Sequence, residues 1–133
     1  MTGLFSKKSR DPQIEKNAAK LKEFKKLVKQ CDYSQALLAG SQYLEKMPHN
    51  HDVLFTMGGI YYVQKKYRTA LSYLDRALEI GSYDVEALLL KAYSHQKLDE
   101  HKPAALCCEK ICEVDPKNRQ VAELLDQLDT SSE

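Results

Sequence analysis

Three of the chain's four cysteines fall within six residues, in the stretch CCEKIC from Cys107 to Cys112, with His95 and His101 upstream. Thiolates and imidazoles are common zinc ligands, and clustered thiols can form redox centres. Cys108 and Cys112 are four apart, so a helix would bring both to one face, where a zinc ion could bridge them with a histidine. The stretch lacks a Cys-x-x-Cys pair, the tighter spacing that zinc and dithiol motifs use. Reduced cysteine also behaves as a small hydrophobe in helical cores. The choice between these readings depends on the elements that hold the stretch.

Other candidates for chemistry are weaker. His49 and His51 flank Asn50 in an HNH triplet, with no acidic cluster to make it a nuclease site. No serine–histidine–acid order, glycine-rich phosphate loop or paired-carboxylate constellation stands out. Nothing supplies a positioned nucleophile or base, so the sequence predicts neither an enzyme nor a bound cofactor or metal.

A chain of 133 residues suits one domain with a continuous core. Charged residues make up 29% and apolar ones 43%, an ordinary soluble mixture, and few glycines and prolines favour helices. No apolar run approaches the roughly 18 residues that would span a bilayer. The opening MTGLFSKKSR is too polar for a signal peptide and has Thr2 where myristoylation needs glycine. The expectation is a cytoplasmic protein with reduced thiols. Charge is unevenly placed: residues 1–30 hold nine basic side chains against Asp11, Glu15 and Glu23, whereas the chain from Val121 onward carries Glu123, Asp126, Asp129 and Glu133 and no Lys or Arg.

Self-comparison reveals a period of 34. Ala36, Ala70 and Ala104 follow it, as do Glu45, Glu79 and Glu113, and Tyr33, Tyr67 and His101. Asn50, Asp84 and Asn118 share the spacing and are all good helix N-caps. Leu54, Met57 and Tyr61 recur at helical intervals, as do Leu71, Leu74 and Leu78 on a second segment, and the short QKKY connection makes the two helices antiparallel neighbours. Gly58 and Ala70 are small where such helices cross, and Gly81 suits a left-handed turn after the second. In this register Cys108 matches Leu74, and Cys112 matches Leu78 and Leu44. His95 matches Tyr61 and Leu27, so the cysteine stretch reads as helix core rather than a metal site.

These units resemble tetratricopeptide repeats, whose signature includes a period of 34, a small residue on the first helix and alanine on the second. The resemblance covers residues 17–118 and is strongest over 51–118. Unit one departs from it, with Phe24 in the place of Gly58 and Gly40 in that of Leu74. It implies an all-α fold, a right-handed α-solenoid of three helix-turn-helix repeats with a C-terminal capping helix. The expected divisions are a flexible basic tail over 1–11, a first repeat with an extended first helix over 12–50, repeats over 51–84 and 85–118, and a capping helix with a short acidic tail over 119–133. Asp11 followed by Pro12 predicts a first helix from Pro12 to about Gln30.

The resemblance further implies non-catalytic protein binding in a concave groove, as an adaptor or chaperone-like component. Carried over to this sequence, the groove residues are Lys22, Lys25 and Lys29; then Phe55, Thr56, Gly59 and Tyr62; then Leu89, Leu90, Tyr93 and Lys97, with Leu124 and Gln127 from the cap. Phe55, Tyr62, Leu89 and Tyr93 would be anchors, and the lysines would read an acidic flank of a partner protein or peptide. A rival reading has Phe55 and Leu89 covered by the protein's own N-terminal segment or partly in the core. Family members that bind the acidic tails of heat-shock chaperones use a two-carboxylate clamp. Its places here are Leu21, Lys25, Thr56, Glu86 and Leu90, which disfavours that partner. The lysine stripe Lys16, Lys20, Lys22, Lys25, Lys26 and Lys29 lacks interleaved aromatics, so it reads as a solvated face rather than a nucleic-acid or membrane patch. The alternative function is a self-assembling scaffold, in which the basic N-terminal end of one copy meets the acidic C-terminal end of the next, a contact that salt would weaken.

Overall fold

Asp11 starts the first helix. Its backbone is extended and its carboxylate accepts the Gln13 amide at 2.9 Å, while Pro12 sits in the first turn, where a missing N–H removes no helical bond. The structure, a computed structural model, describes residues 11–131. The expected basic tail before Asp11 and the last residues of the acidic tail lie outside the described residues. Among the described residues there are seven α-helices and no strand. They are α1 (Pro12–Lys29), α2 (Tyr33–Lys46), α3 (His51–Val63), α4 (Tyr67–Ile80), α5 (Val85–Lys97), α6 (His101–Val114) and α7 (Arg119–Ser131). This is an all-α helical-repeat fold.

The chain divides into two compact units, Met1–Pro48 and His49–Glu133. In the first, α1 packs on α2. Phe24 is the one fully buried side chain of α1, at 2% exposure, and Ala36, Ala39, Gly40, Tyr43 and Leu44 are buried on α2. Lys20 donates to the Gln42 amide oxygen at 2.9 Å and pairs with Glu23 at 3.0 Å.

In the second unit α3 packs on α4, α4 on α5, α5 on α6 and α6 on α7, and α5 also touches α3 and α7. Leu54, Met57, Leu74, Cys108, Ile111, Val121 and Leu124 are wholly buried. Each N-cap read from the 34-residue spacing makes its bond: Asn50 accepts the Val53 amide at 3.1 Å, Asp84 those of Glu86 and Ala87 at 3.0 and 3.3 Å, and Asn118 that of Val121 at 3.0 Å. Asp84 uses its other oxygen for the His51 imidazole, Nε2 at 2.8 Å, tying the start of α3 to the start of α5.

The left-handed turn is not at Gly81, whose φ is −126°. It lies inside each helix pair, at Cys31, Lys65 and Asp99, with φ of 58°, 63° and 58° and again 34 residues apart. There the next amide reaches back across the turn: Asp32 to the Leu27 carbonyl at 3.0 Å, Lys66 to Tyr61 at 2.9 Å and Glu100 to His95 at 2.9 Å. These bonds satisfy carbonyls that the ends of α1, α3 and α5 would otherwise leave open.

Candidate functional site

The cysteine stretch lies on α6. Cys107 and Cys108 are buried, Cys112 is half-buried, and all four cysteines of the chain are free thiols. Burial, with Cys107 and Cys112 adding to it, pushes the Cys108 thiol up to about 11. Burial also raises Cys107, so neither is a thiolate at neutral pH. Among the described residues, no group of three or more His, Cys, Asp and Glu side chains is arranged to hold a metal ion. His95 instead pairs with Glu100, Nδ1 to Oε1 at 3.0 Å, and Glu100 also takes Arg68 at 2.6 Å.

Groove residues of the second unit come from α3 and α5. Phe55, Leu89, Leu90 and Tyr93 line one cavity of about 300 Å³, together with Glu86 and Gln120. Phe55, Leu90 and Tyr93 are half-buried, as are Thr56 and Gly59. Tyr62 meets Tyr67 edge to face, with ring centroids 5.4 Å apart. Burial and then the neighbouring Tyr67 and Tyr93 raise its hydroxyl above the ordinary tyrosine value. Tyr93 is raised by burial, then by Glu123 and Cys108.

Leu89 departs from the expected anchor role. It is only 8% exposed and belongs to the core cluster with Val121, Leu124 and Leu128, because α7 closes over α5. Leu124, expected to extend the groove, is fully buried for the same reason. Gln127 is exposed and accepts a bond from Gln96 at 2.8 Å, and Lys97 is exposed at the end of α5. Lys22, Lys25 and Lys29 are exposed on α1, in the other unit. Gln120 joins the cavity wall without any signal in the sequence. In the sequence Glu86 stands out only as a mismatch to a chaperone clamp. An exposed glutamine and glutamate in the first turns of α7 and α5 carry no pattern that would have marked them.

Residues 29–111, from the last turn of α1 into α6, match the family model described as anaphase-promoting complex, cyclosome, subunit 3, a family of the tetratricopeptide type. The chain belongs to that tetratricopeptide-repeat family. Among curated proteins no sequence matches it. Solved tetratricopeptide-repeat structures resemble it over most of its length. The first such domain of Spaghetti (RPAP3), bound to an HSP90 peptide, shares 19% identity over 88% of this chain and 93% of that one, with a TM-score of 0.78. The TPR2B domain of yeast Sti1, in a pHsp70 complex, shares 17% identity over 88% and 98%, with a TM-score of 0.74. MamA shares 17% over 89% of this chain and 64% of that one, with a TM-score of 0.82. At such identities the likeness is one of fold.

Proposed function

We propose that this tetratricopeptide-repeat chain is a non-catalytic protein-interaction module that holds an apolar segment of a partner protein against α3 and α5. The observation that carries the reading is the convergence of Phe55, Leu90 and Tyr93, each half-buried, around one cavity of about 300 Å³ above the buried Leu89. Apolar and aromatic side chains gathered in a concavity, with a few polar groups beside them, are what a protein anchor requires. Tyr62 and Thr56 extend the surface along α3, and Lys97 and Gln127 supply polar contacts at its margin. Glu86 and Glu123 favour a basic side chain next to the partner's apolar anchor, while Lys22, Lys25 and Lys29 are the groups that would read an acidic flank.

The HSP90-peptide complex of the first RPAP3 domain and the pHsp70 complex of the Sti1 domain support partner binding by this fold. The chain lacks the residues of the two-carboxylate clamp, with Thr56, Glu86 and Leu90 at three of its places, so its partner is expected to differ from an acidic chaperone tail. Panning a displayed random-peptide library against the protein tests the reading. Selected peptides should carry an apolar or aromatic anchor and bind Leu90→Asp at least about tenfold more weakly, roughly 1.4 kcal/mol. Equal binding to wild type and Leu90→Asp would refute the assignment.

A further inference from the structure

Repeats 51–84 and 85–118 build one equivalent place differently. In the earlier repeat, Tyr61 on α3 and Tyr73 on α4 stack with ring centroids 5.5 Å apart and planes 15° apart, and the Arg76 guanidinium lies 5.5 Å from the Tyr73 ring centre. Thirty-four residues on, the same three places hold His95, Cys107 and Lys110. Two rings have become an imidazole, turned to Glu100, and a thiol. Beside them lies a cavity of about 250 Å³, which shares no lining residue with the α3–α5 cavity. An apolar cavity of about 150 Å³ is enough to hold a benzene ring.

The walls match that shape with chemistry. Leu78 and Leu88 line the cavity from α4 and α5. Leu106 joins them from α6 with 64% of its surface exposed, where the previous repeat has the polar Ser72. Lys110 keeps a cation in the place of Arg76, the group that covers a ring in the earlier repeat. Lys91 replaces the buried Met57 in the wall. The carboxylates nearby are largely committed: Asp75 pairs with Lys91 at 2.8 Å, Glu100 with His95 and Arg68, and Glu113 accepts the Tyr83 hydroxyl at 3.0 Å. Lys110 rests 4.9 Å from the centre of the Tyr83 ring, and no carboxylate lies within ion-pair distance of it among the described residues. Cys107, neutral and buried, offers an uncharged surface at the depth of the site.

We infer that this cavity is a second docking site, separate from the proposed groove, and that it takes an aromatic side chain carried next to an acidic residue on a partner protein's segment. The ring would restore the stack that Tyr61 and Tyr73 make within the earlier repeat. Lys110 would lie over the ring or meet the neighbouring carboxylate, and Leu106 would be covered by the segment's backbone. A small cavity of this kind suits a single anchor better than a broad interface.

Titrating the full-length protein with the blocked peptide Glu-Tyr-Glu, observed by amide NMR, tests the assignment. The peptide should move the amides of Lys91, Leu106, Cys107 and Lys110 saturably and leave those of Phe55 and Leu90 in place. Blocked Glu-Ala-Glu and Lys-Tyr-Lys should not reproduce this. Cys107→Tyr, which rebuilds the earlier repeat's ring, should abolish the shifts. Leu106→Glu, an exposed change that leaves the core untouched, should weaken binding by at least about fivefold. The second variant keeps the test valid if the first disturbs folding. Absence of saturable shifts at millimolar peptide would overturn the assignment. So would equal shifts with the alanine or lysine peptide, or shifts confined to Phe55 and Leu90, which would place the peptide in the groove instead.

Discussion

The helix pairs α3–α4 and α5–α6 share helix order and N-cap chemistry but fill the space at their crossings with different side chains. In the earlier one the first helix gives way: a Cβ added at Gly58 would lie 2.9 Å from Leu74 Cγ and 3.4 Å from the Ala70 carbonyl oxygen. In the later one Ala92 takes the place of Gly58 and Cys108 that of Leu74, both with no exposed surface. A methyl is added on one helix and a branch removed from the other. Phe24 and Gly40, 34 residues earlier and both buried, put all the bulk on the first helix. The three pairs place the side-chain bulk differently, and at each crossing at least one partner is small enough to admit the other. They also explain the cysteine: Cys108 fills beside Ala92 the place that Leu74 fills beside Gly58.

The largest break in the comparison is expected at the pair with its bulk on one side. Phe24→Ala removes the one fully buried side chain of α1 and should cost about 3–5 kcal/mol in urea unfolding. At the other extreme, Cys108→Ala should cost on the order of 1 kcal/mol, since little volume is lost. A similar cost for the two would show that the bulk placed at a crossing does not decide its contribution.

Gly58→Ala sharpens the point, because it sets two opposing effects against each other. The alanine gains about 1 kcal/mol of helix propensity, but its methyl must displace Leu74, and overpacking costs about 1–3 kcal/mol. Net destabilisation of about 1 kcal/mol is expected. Leu74→Cys in the same chain recreates the Ala92–Cys108 arrangement. The double mutant should therefore be about 1–2 kcal/mol more stable than the sum of the single changes predicts. An additive double-mutant cycle would sever the two positions.

The fold was legible because its signals are local and repeated: the period of 34, the caps at Asn50, Asp84 and Asn118, and the Asp11–Pro12 start. What escaped depends on backbone conformation and on which element covers which. Cys31, Lys65 and Asp99 adopt left-handed backbone without a glycine among them, so turn chemistry pointed to Gly81 instead. Leu89 sits in a groove register on α5, and only the packing of α7 shows that it belongs to the core. Phe55, Leu90 and Tyr93 occupy the places that the tetratricopeptide resemblance assigns to the groove. Their neighbours Glu86 and Gln120 come from first turns with no helical pattern of their own to mark them.

The three left-handed turns invite a smaller test in the opposite direction. A lysine in this conformation carries a steric cost that glycine avoids, of about 1 kcal/mol. Lys65→Gly should therefore stabilise the protein by up to about 1 kcal/mol, reduced by the extra freedom of the unfolded chain. Asp99→Gly should gain less, because aspartate tolerates this region better than lysine. Thermal or urea unfolding of both variants would show the order, and a loss at Lys65→Gly would mean that its side chain, not its backbone, matters at the turn.

The smallest effect concerns the contact that links the two compared repeats. Glu100, at the start of α6, takes Arg68 of α4 and His95 of α5. The hydrogen bond from Arg68, and then the one from His95, hold its carboxyl below the usual carboxylate value. A carboxyl depressed in the folded state binds its proton less readily there than in the unfolded chain. Its contribution to stability is therefore present above the unfolded value and disappears as pH falls through the folded one. Glu100→Gln should accordingly be less stable than wild type near neutrality, and the difference should shrink through the acidic carboxylate range. Arg68 is exposed and Glu100 half-buried, so salt should also shrink it. Urea midpoints of the two proteins across that range measure the effect directly. A gap that stays constant as the pH falls would assign the role of Glu100 to packing and leave the link between the repeats to the apolar contacts of α4 and α5.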